Sequence, residues 1–221
     1  NSFHDQNVDG IILIGTLFTA EHKERLKHLS VPIVILAQRL DGYSCVYSDD
    51  YHASLDLTSR LAKTGHIFGY ISAESRDEAV GRNRKKGFDD GLSQAGQEHA
   101  PRYYAEAAFS MESGYQMAKK LFTDHPDIDT LLCATDTIAS GALRYFHEQE
   151  IPVPEQVQIA GFGDSSIARA TTPTLTTAHF FYEEAGSEAG KILLDMMQEK
   201  DHPLNRELKL GFSTIVRAST R

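Results

Sequence analysis

The stretch Val157-Gln-Ile-Ala-Gly161-Phe-Gly163-Asp164-Ser-Ser-Ile-Ala-Arg-Ala-Thr-Thr-Pro173-Thr-Leu175-Thr-Thr177-Ala-His179 decides how this chain is read. It begins as a buried apolar strand and turns through Gly-Phe-Gly-Asp. It then crosses a Ser/Thr-rich passage and enters a second strand through Pro-Thr-Leu-Thr-Thr. Gly161-Phe162-Gly163 could open a dinucleotide fingerprint, but the third glycine position holds Ser166 and no clean helix follows. That motif needs a helix N-terminus against the pyrophosphate. The glycines are then either a plain turn after a strand or a binding loop at the carboxyl end of a parallel strand, where ligands sit in open α/β sheets. Pro173 prevents a continuous helix into Leu175. This break in the rhythm of the chain suits a crossover between two lobes.

The rest of the chain alternates around this stretch. Apolar runs predict strands at Val8–Ile14, Ile33–Leu36 (edge-like), Ile67–Ile71, Thr130–Cys133, Val157–Ala160 and Leu175–Ala178. Helical spacing predicts helices over Ala53–Ala62, Asp77–Ala95, Glu112–Phe122, Thr137–Gln149 and Glu183–Glu199. In the last, Ala185, Ala189, Ile192, Leu193 and Met196 share a stripe. Gly65 reads as a C′ glycine, and Ser110 and Asp136 read as N-caps. Alternating β and α elements predict an α/β fold with parallel sheets covered by helices on both faces. No internal repeat or long linker is visible, so a second lobe has to be woven in by several chain crossings. Only the Val8–Ile14 strand precedes Ile33–Leu36, fewer than a doubly wound lobe normally has. The start of that lobe is therefore expected to be missing.

Composition narrows the function. The 221 residues carry a net charge of −9, and the basic residues cluster only at Arg82, Arg84, Lys85 and Lys86. Holding DNA calls for a basic face, so these residues are not expected to bind nucleic acid themselves. Cys45 and Cys133 each lie in an apolar run and read as buried reduced thiols. No run reaches the roughly 18 apolar residues of a membrane helix, and no signal peptide is visible. His-Glu-x-x-His, Cys-x-x-Cys, Gly-x-Ser-x-Gly and phosphate-loop patterns are all lacking. The expectation is therefore no catalytic residue, no metal site and no cofactor. His66, at a helix end, reads as structural.

A few residues carry binding chemistry. Arg84 begins Arg-Lys-Lys-Gly-Phe near a helix start, on the carboxyl side of a strand. There a guanidinium could either face solvent or make forked hydrogen bonds to neighbouring sugar hydroxyls. Phe109 and Tyr182 are single aromatics at element boundaries, suited to the core or to stacking on a sugar ring. Asp136 and Asp164 follow apolar strands. Capping is open to Asp136, and accepting ligand hydroxyls is open to both.

In order along the chain, further motifs point one way. Val8-Asp9-Gly10-Ile11-Ile12-Leu13, Val31-Pro32-Ile33-Val34, Leu61 through His66-Ile67, and Arg84-x-x-Gly87-Phe88 are followed by Thr135-Asp136 with Ala139 and Gly141-Ala142-Leu143. Then come Ile151-Pro152-Val153-Pro154-Glu155-Gln156-Val157, Pro173-Thr174-Leu175-Thr176-Thr177 and Val216-Arg217-Ala218-Ser219-Thr220. Nearly the whole chain resembles the effector-binding domain of LacI-type transcriptional regulators. The resemblance implies a type I periplasmic-binding-protein-like fold of two woven lobes. The N-terminal lobe would comprise 1–47 with 182–209, and the C-terminal lobe 48–181 with 210–221. The helix-turn-helix has no counterpart in this sequence.

The implied function is a cytoplasmic, homodimeric sensor. A mono- or disaccharide or glucoside would bind in the interlobe cleft, close or rotate the lobes, and control operator DNA through an N-terminal headpiece. Carried over residue by residue, Arg84 would grip the sugar and Phe109 and Tyr182 would line the site. Thr135 would face the sugar ahead of Asp136, and Gly15 and Thr16 would end a strand on the opposite wall. Departures from the family pattern are informative. Gly163 stands where many members carry the first aspartate of Gly-Phe-Asp-Asp, leaving Asp164 or the backbone to take its place. Thr135 replaces a frequent asparagine. Ala37 lies where some members have an acidic residue, which suits a neutral sugar. The alternative is a secreted or periplasmic sugar-binding protein that feeds a transporter.

Overall fold

The computed structural model describes residues 8–15, 17–198 and 204–221. Thr16 and the Glu199 end of the last expected helix lie outside them. The chain divides into two compact units, Asn1–Asp49 with Phe181–Gly211, and Asp50–Phe180 with Phe212–Arg221. It passes from one unit to the other after Asp49, Phe180 and Gly211.

The first unit is built on four parallel strands in the order β1 (Ile11–Ile14), β2 (Ile33–Leu36), β3 (Ser44–Ser48) and β9 (Glu207–Leu210). The continuous apolar run of β2 follows from burial on both faces. Ile33 and Ile35 point into a cluster with Leu26 of helix α1 (Ala20–Lys27), while Val34 packs with Ala185, Ala189 and Ile192 of helix α7 (Tyr182–Gln198). β2 is thus interior, not the edge its flanks suggested, because β3 continues the sheet.

The second unit holds six strands in the order β10 (Phe212–Ile215), β8 (Thr176–Phe180), β7 (Gln158–Phe162), β6 (Thr130–Cys133), β4 (Phe68–Ser72) and β5 (Arg102–Glu106). All pairs are parallel except β10 with β8. Phe68, Tyr70, Leu132, Phe162 and Phe180 face α2 (Asp50–Leu61) and α3 (Arg84–Gln94). Ile71, Leu131, Cys133 and Ile159 face α4 (Met111–Asp124) and α5 (Asp136–Glu148). A Cβ on Gly141 would lie 2.0 Å from the Met111 carbonyl, so α4 and α5 touch backbone to backbone. Both cysteines are buried free thiols.

Three expectations need correction. The Val157–His179 stretch is not a crossover between lobes: β7 and β8 are neighbours in one sheet, with Ala160 opposite Thr176. The passage between them is also not helix-free, since Ser166–Ala170 forms the short α6. The change of unit comes only after Phe180. Gly65 is not a left-handed C′ residue. Its N–H donates to the Leu61 carbonyl at 2.9 Å, and a Cβ there would sit 2.2 Å from Thr130 Oγ1, so closeness to β6 is what demands glycine. Third, the helix expected over Asp77–Ala95 opens as a π-helical segment, Glu78–Asn83, before α3 begins.

Candidate ligand-binding site

Parallel strands in the second unit all deliver their carboxyl ends to one side of the sheet, where open α/β sheets hold ligands. Arg84 arrives there from the β4 connection. Asp77 caps the π-helical segment, its carboxylate accepting from Val80 N at 2.8 Å. A Cβ on Gly81 would clash with the Glu74 carbonyl at 2.0 Å, so this wide turn lies tight on the strand end. Segments of this kind often mark functional positions.

Arg84 is not a solvated surface arginine. It is 6% exposed. Its Nε and Nη2 reach the same Asp50 oxygen at 2.7 and 2.6 Å, and Nη1 donates to the Ala134 carbonyl at 2.5 Å. Its guanidinium carbon lies 4.8 Å from the centroid of Phe162 and 5.0 Å from that of Phe180, rings that are themselves nearly parallel. A fork held this way has a fixed direction before any ligand arrives, which a flexible lysine could not offer.

The N-cap of α5 is Thr135, not Asp136 as expected. Its Oγ1 accepts from Ile138 N at 3.2 Å. This leaves its hydroxyl hydrogen for another acceptor. Asp136 is instead the first helical residue, 1% exposed. Its carboxylate accepts from Thr177 Oγ1 at 2.6 Å, Ser165 N at 2.8 Å and Ser165 Oγ at 3.1 Å. Burial raises its carboxyl above the ordinary range, although the Thr177 and Ser165 donors oppose that shift.

Asp164 adopts φ +48°, a left-handed conformation that Asp tolerates. Arg217 Nη2 contacts its carboxylate at 2.5 Å, Arg169 Nη2 at 3.1 Å and His179 Nδ1 at 3.2 Å. Burial pushes this carboxyl up, but the Arg217 and Arg169 contacts outweigh it and hold it below the usual range. Thr177 joins the two aspartates, since its Oγ1 also accepts from Asp164 N at 3.3 Å.

The structure therefore brings Arg84, Thr135, Asp136 and Asp164 to the strand ends of the second unit. Phe109 lies exposed in the loop after β5 of that unit, and Tyr182 is exposed at the start of α7 in the first. Asp50, Phe162, Phe180, Arg169, His179 and Arg217 were not anticipated as neighbours of these residues. Phe162, Arg169 and His179 lie within the Val157–His179 stretch and Arg217 within the Val-Arg-x-Ser-Thr ending, whereas Asp50 and Phe180 had no visible signal.

Two hollows of the second unit lie elsewhere. One of about 490 Å³ is bounded by Leu143, Phe146, Ile151 and Pro173, and one of about 390 Å³ by Tyr103, Met117, Leu121 and His125. Among the described residues no group of three or more His, Cys, Asp or Glu side chains could hold a metal ion. None of the described helices is long and apolar enough to cross a membrane.

Two predominantly parallel α/β units threaded by three chain crossings define the class of periplasmic-binding-protein-like domains. The chain belongs to this family: the description "Periplasmic binding protein-like domain" matches residues 58–220. Its relatives are regulators. The chain is 31% identical over 90% of its length to the HTH-type transcriptional regulator TreR of Escherichia coli K12, covering 60% of that protein. It is 27% identical, also over 90%, to the sucrose operon repressor of Staphylococcus xylosus, covering 61%. A solved complex of the transcriptional regulator CelR with cellobiose superposes with a TM-score of 0.89 at 25% identity, across 99% of this chain and 68% of that one. The LacI-type resemblance and the fold it implied are borne out. The chain spans about three fifths to two thirds of the length of the curated relatives it matches.

Proposed function

We propose that this chain is the effector-sensing part of a cytoplasmic LacI-type regulator, not an enzyme. Its effector is a sugar, a mono- or disaccharide or glucoside, and no cofactor takes part. The regulator acts as a homodimer and meets operator DNA through an N-terminal headpiece. The observation that carries this reading is Arg84, buried at the carboxyl ends of a parallel sheet with Nε and Nη2 held by Asp50 and Nη1 on the Ala134 carbonyl. Each of its two terminal nitrogens carries two N–H groups, and guanidinium donors of this kind suit vicinal sugar hydroxyls. Thr135 donates a further hydroxyl, and Phe109, Tyr182 and Thr16 complete the proposed contacts. Asp136 and Asp164 serve as the frame, because their carboxylates already accept from the protein's own donors.

The relatives favour this reading over a secreted sugar-binding protein, since those matched are transcriptional regulators. Control of DNA follows if the sugar binds two conformations of the regulator with different affinity. The test is a thermal-shift panel of cellobiose, sucrose, trehalose and simple hexoses, followed by titration calorimetry. A ligand that binds only the native state raises the melting temperature. Arg84→Ala is expected to abolish the shift. Unchanged affinity in that variant would remove Arg84 from the site.

A further inference from the structure

Two of the three joints between the units abut a single side chain. Asp50 is the first residue of the second unit after the first joint, and Phe180 is its last residue before the second. Arg84 holds both. Its fork closes on Asp50 at 2.6–2.7 Å, and its guanidinium lies over the Phe180 ring at 5.0 Å.

The pair is not needed to hold α2 against α3. Ser54 Oγ already donates to the Arg84 carbonyl at 2.6 Å, and a Cβ on Gly87 would lie 2.3 Å from the Tyr51 carbonyl, so those backbones meet without the guanidinium. Nor is a buried ion pair a strong source of stability, because desolvation offsets most of its attraction. A charged pair 5–7% exposed therefore points to placement of the arginine.

We infer that Asp50 is a positioning residue for Arg84, and that Asp50, Arg84 and Phe180 together tie occupancy of the sugar site to the two joints. This deepens the proposed function and rests on it for the identity of the ligand. A sugar oxygen that accepts from Arg84 pulls on a planar group already braced against both joints. Asp50, bonded at its edge, and Phe180, beneath its face, feel that load together. The coupling is reciprocal: altering the joints alters sugar affinity by the same factor as the sugar alters the joints.

The test uses Asp50→Asn, Phe180→Leu and a packing control, Phe68→Leu. Phe68 is fully buried in the same cluster, but its ring packs on Phe88. Hydrogen exchange without sugar reads the joints, and titration calorimetry with cellobiose, sucrose and trehalose reads the site. Asp50→Asn and Phe180→Leu are each expected to speed exchange about tenfold across residues 48–52 and 179–183, leaving residues 130–133 unchanged. Each also weakens the best-binding of the three sugars about tenfold, or about 1.4 kcal/mol. Phe68→Leu lowers the melting temperature and does neither. Exchange at the joints no faster in Asp50→Asn and Phe180→Leu than in Phe68→Leu overturns the inference. If the unmutated chain binds none of the three sugars, the sugar reading fails, while the exchange comparison still decides whether Asp50, Arg84 and Phe180 hold the joints. Should Asp50→Asn not fold, Phe180→Leu carries both measurements.

Discussion

Replacing Thr177 by valine removes one hydroxyl and very little volume, so its cost isolates the network that frames the site. Thr177 is fully buried. Its Oγ1 donates to Asp136 at 2.6 Å and accepts from Asp164 N at 3.3 Å. A bond to a charged acceptor contributes about 1.5–3 kcal/mol, and a stranded N–H adds to the loss, for about 3 kcal/mol near neutral pH. For a chain of this size that lowers the melting temperature by about 6–12 °C. The effect is also pH-dependent, with a definite sign. Burial raises the Asp136 carboxyl in the folded state, and the Thr177 hydroxyl opposes that shift. Thr177→Val raises the carboxyl further. A group whose folded pKa exceeds its unfolded value, about 3.9 for aspartate, loses stability as pH rises through the interval between them. The variant's interval is wider, so its deficit grows with pH to a plateau. Below the interval only a neutral hydrogen bond is missing, at about 0.5–1.5 kcal/mol. Urea unfolding of both proteins at pH 4.5 and pH 8 measures this by linear extrapolation. A deficit that is equal at the two pH values, or larger in acid, would refute the assignment of Thr177 as the donor to an ionised Asp136. Adding Asp136→Asn to the valine variant is expected to flatten the pH dependence.

Three further outcomes test other parts of the frame. Gly141→Ala is expected to destabilise by about 3 kcal/mol, because its Cβ would meet the Met111 carbonyl at 2.0 Å and helix backbones cannot turn aside as a side chain can; urea unfolding within 1 kcal/mol of the unmutated chain would contradict the close α4–α5 approach. Gly163→Asp, which restores the aspartate of the family pattern, is expected to cost about 1–3 kcal/mol, since φ is +126° there; an unchanged melting temperature would show that the turn accepts a side chain. Arg217→Met removes the 2.5 Å contact to Asp164, a carboxyl held low in the folded state. Such a group contributes stability above its unfolded pKa and loses it as pH falls through the folded value. The acid-unfolding midpoint of Arg217→Met is therefore expected at higher pH, and a midpoint that stays put or falls would be the contrary result.

The strands that the sequence exposed clearly are those buried on both faces. Ile33–Leu36 and Thr130–Cys133 were read with the bounds the structure gives them. β5 (Arg-Tyr-Tyr-Ala-Glu) and β9 (Glu-Leu-Lys-Leu) escaped because each lies at a sheet edge, β5 with a charge at either end and β9 alternating charged with apolar residues. β3 and β10 were missed as short runs holding serine or threonine. Helix α1 buries only Leu26, so it has no apolar stripe to detect. At the site the order reverses. The position of Arg84 at the strand ends was legible from its place after a strand, but its partner Asp50 lies 34 residues away on a different helix. Nothing local marks an aspartate at a helix start as half of a buried ion pair. Asp136 was read as the cap, but the structure gives the cap to Thr135, and the position of Thr177 and Ser165 across the sheet draws Asp136 into burial instead.

The two glycines of Gly161-Phe162-Gly163 show why a motif can be real and its usual meaning wrong. In a dinucleotide fingerprint the first glycine makes the tight turn and the second lets the backbone approach the pyrophosphate. Here both have other reasons. A Cβ on Gly161 would stand 2.7 Å from Asp136 Oδ1, so this glycine makes room for the buried carboxylate of the neighbouring connection. Gly163 supplies φ +126° while its N–H still donates to the Ala178 carbonyl at 2.8 Å, carrying the ladder to β8 one residue past the strand. Asp164 follows in a left-handed conformation with its carboxylate turned to Arg217, Arg169 and His179. The departure from the family's aspartate at this point is thus tied to backbone geometry. With glycine at 163 the loop turns Asp164 toward its own cations, Arg217, Arg169 and His179.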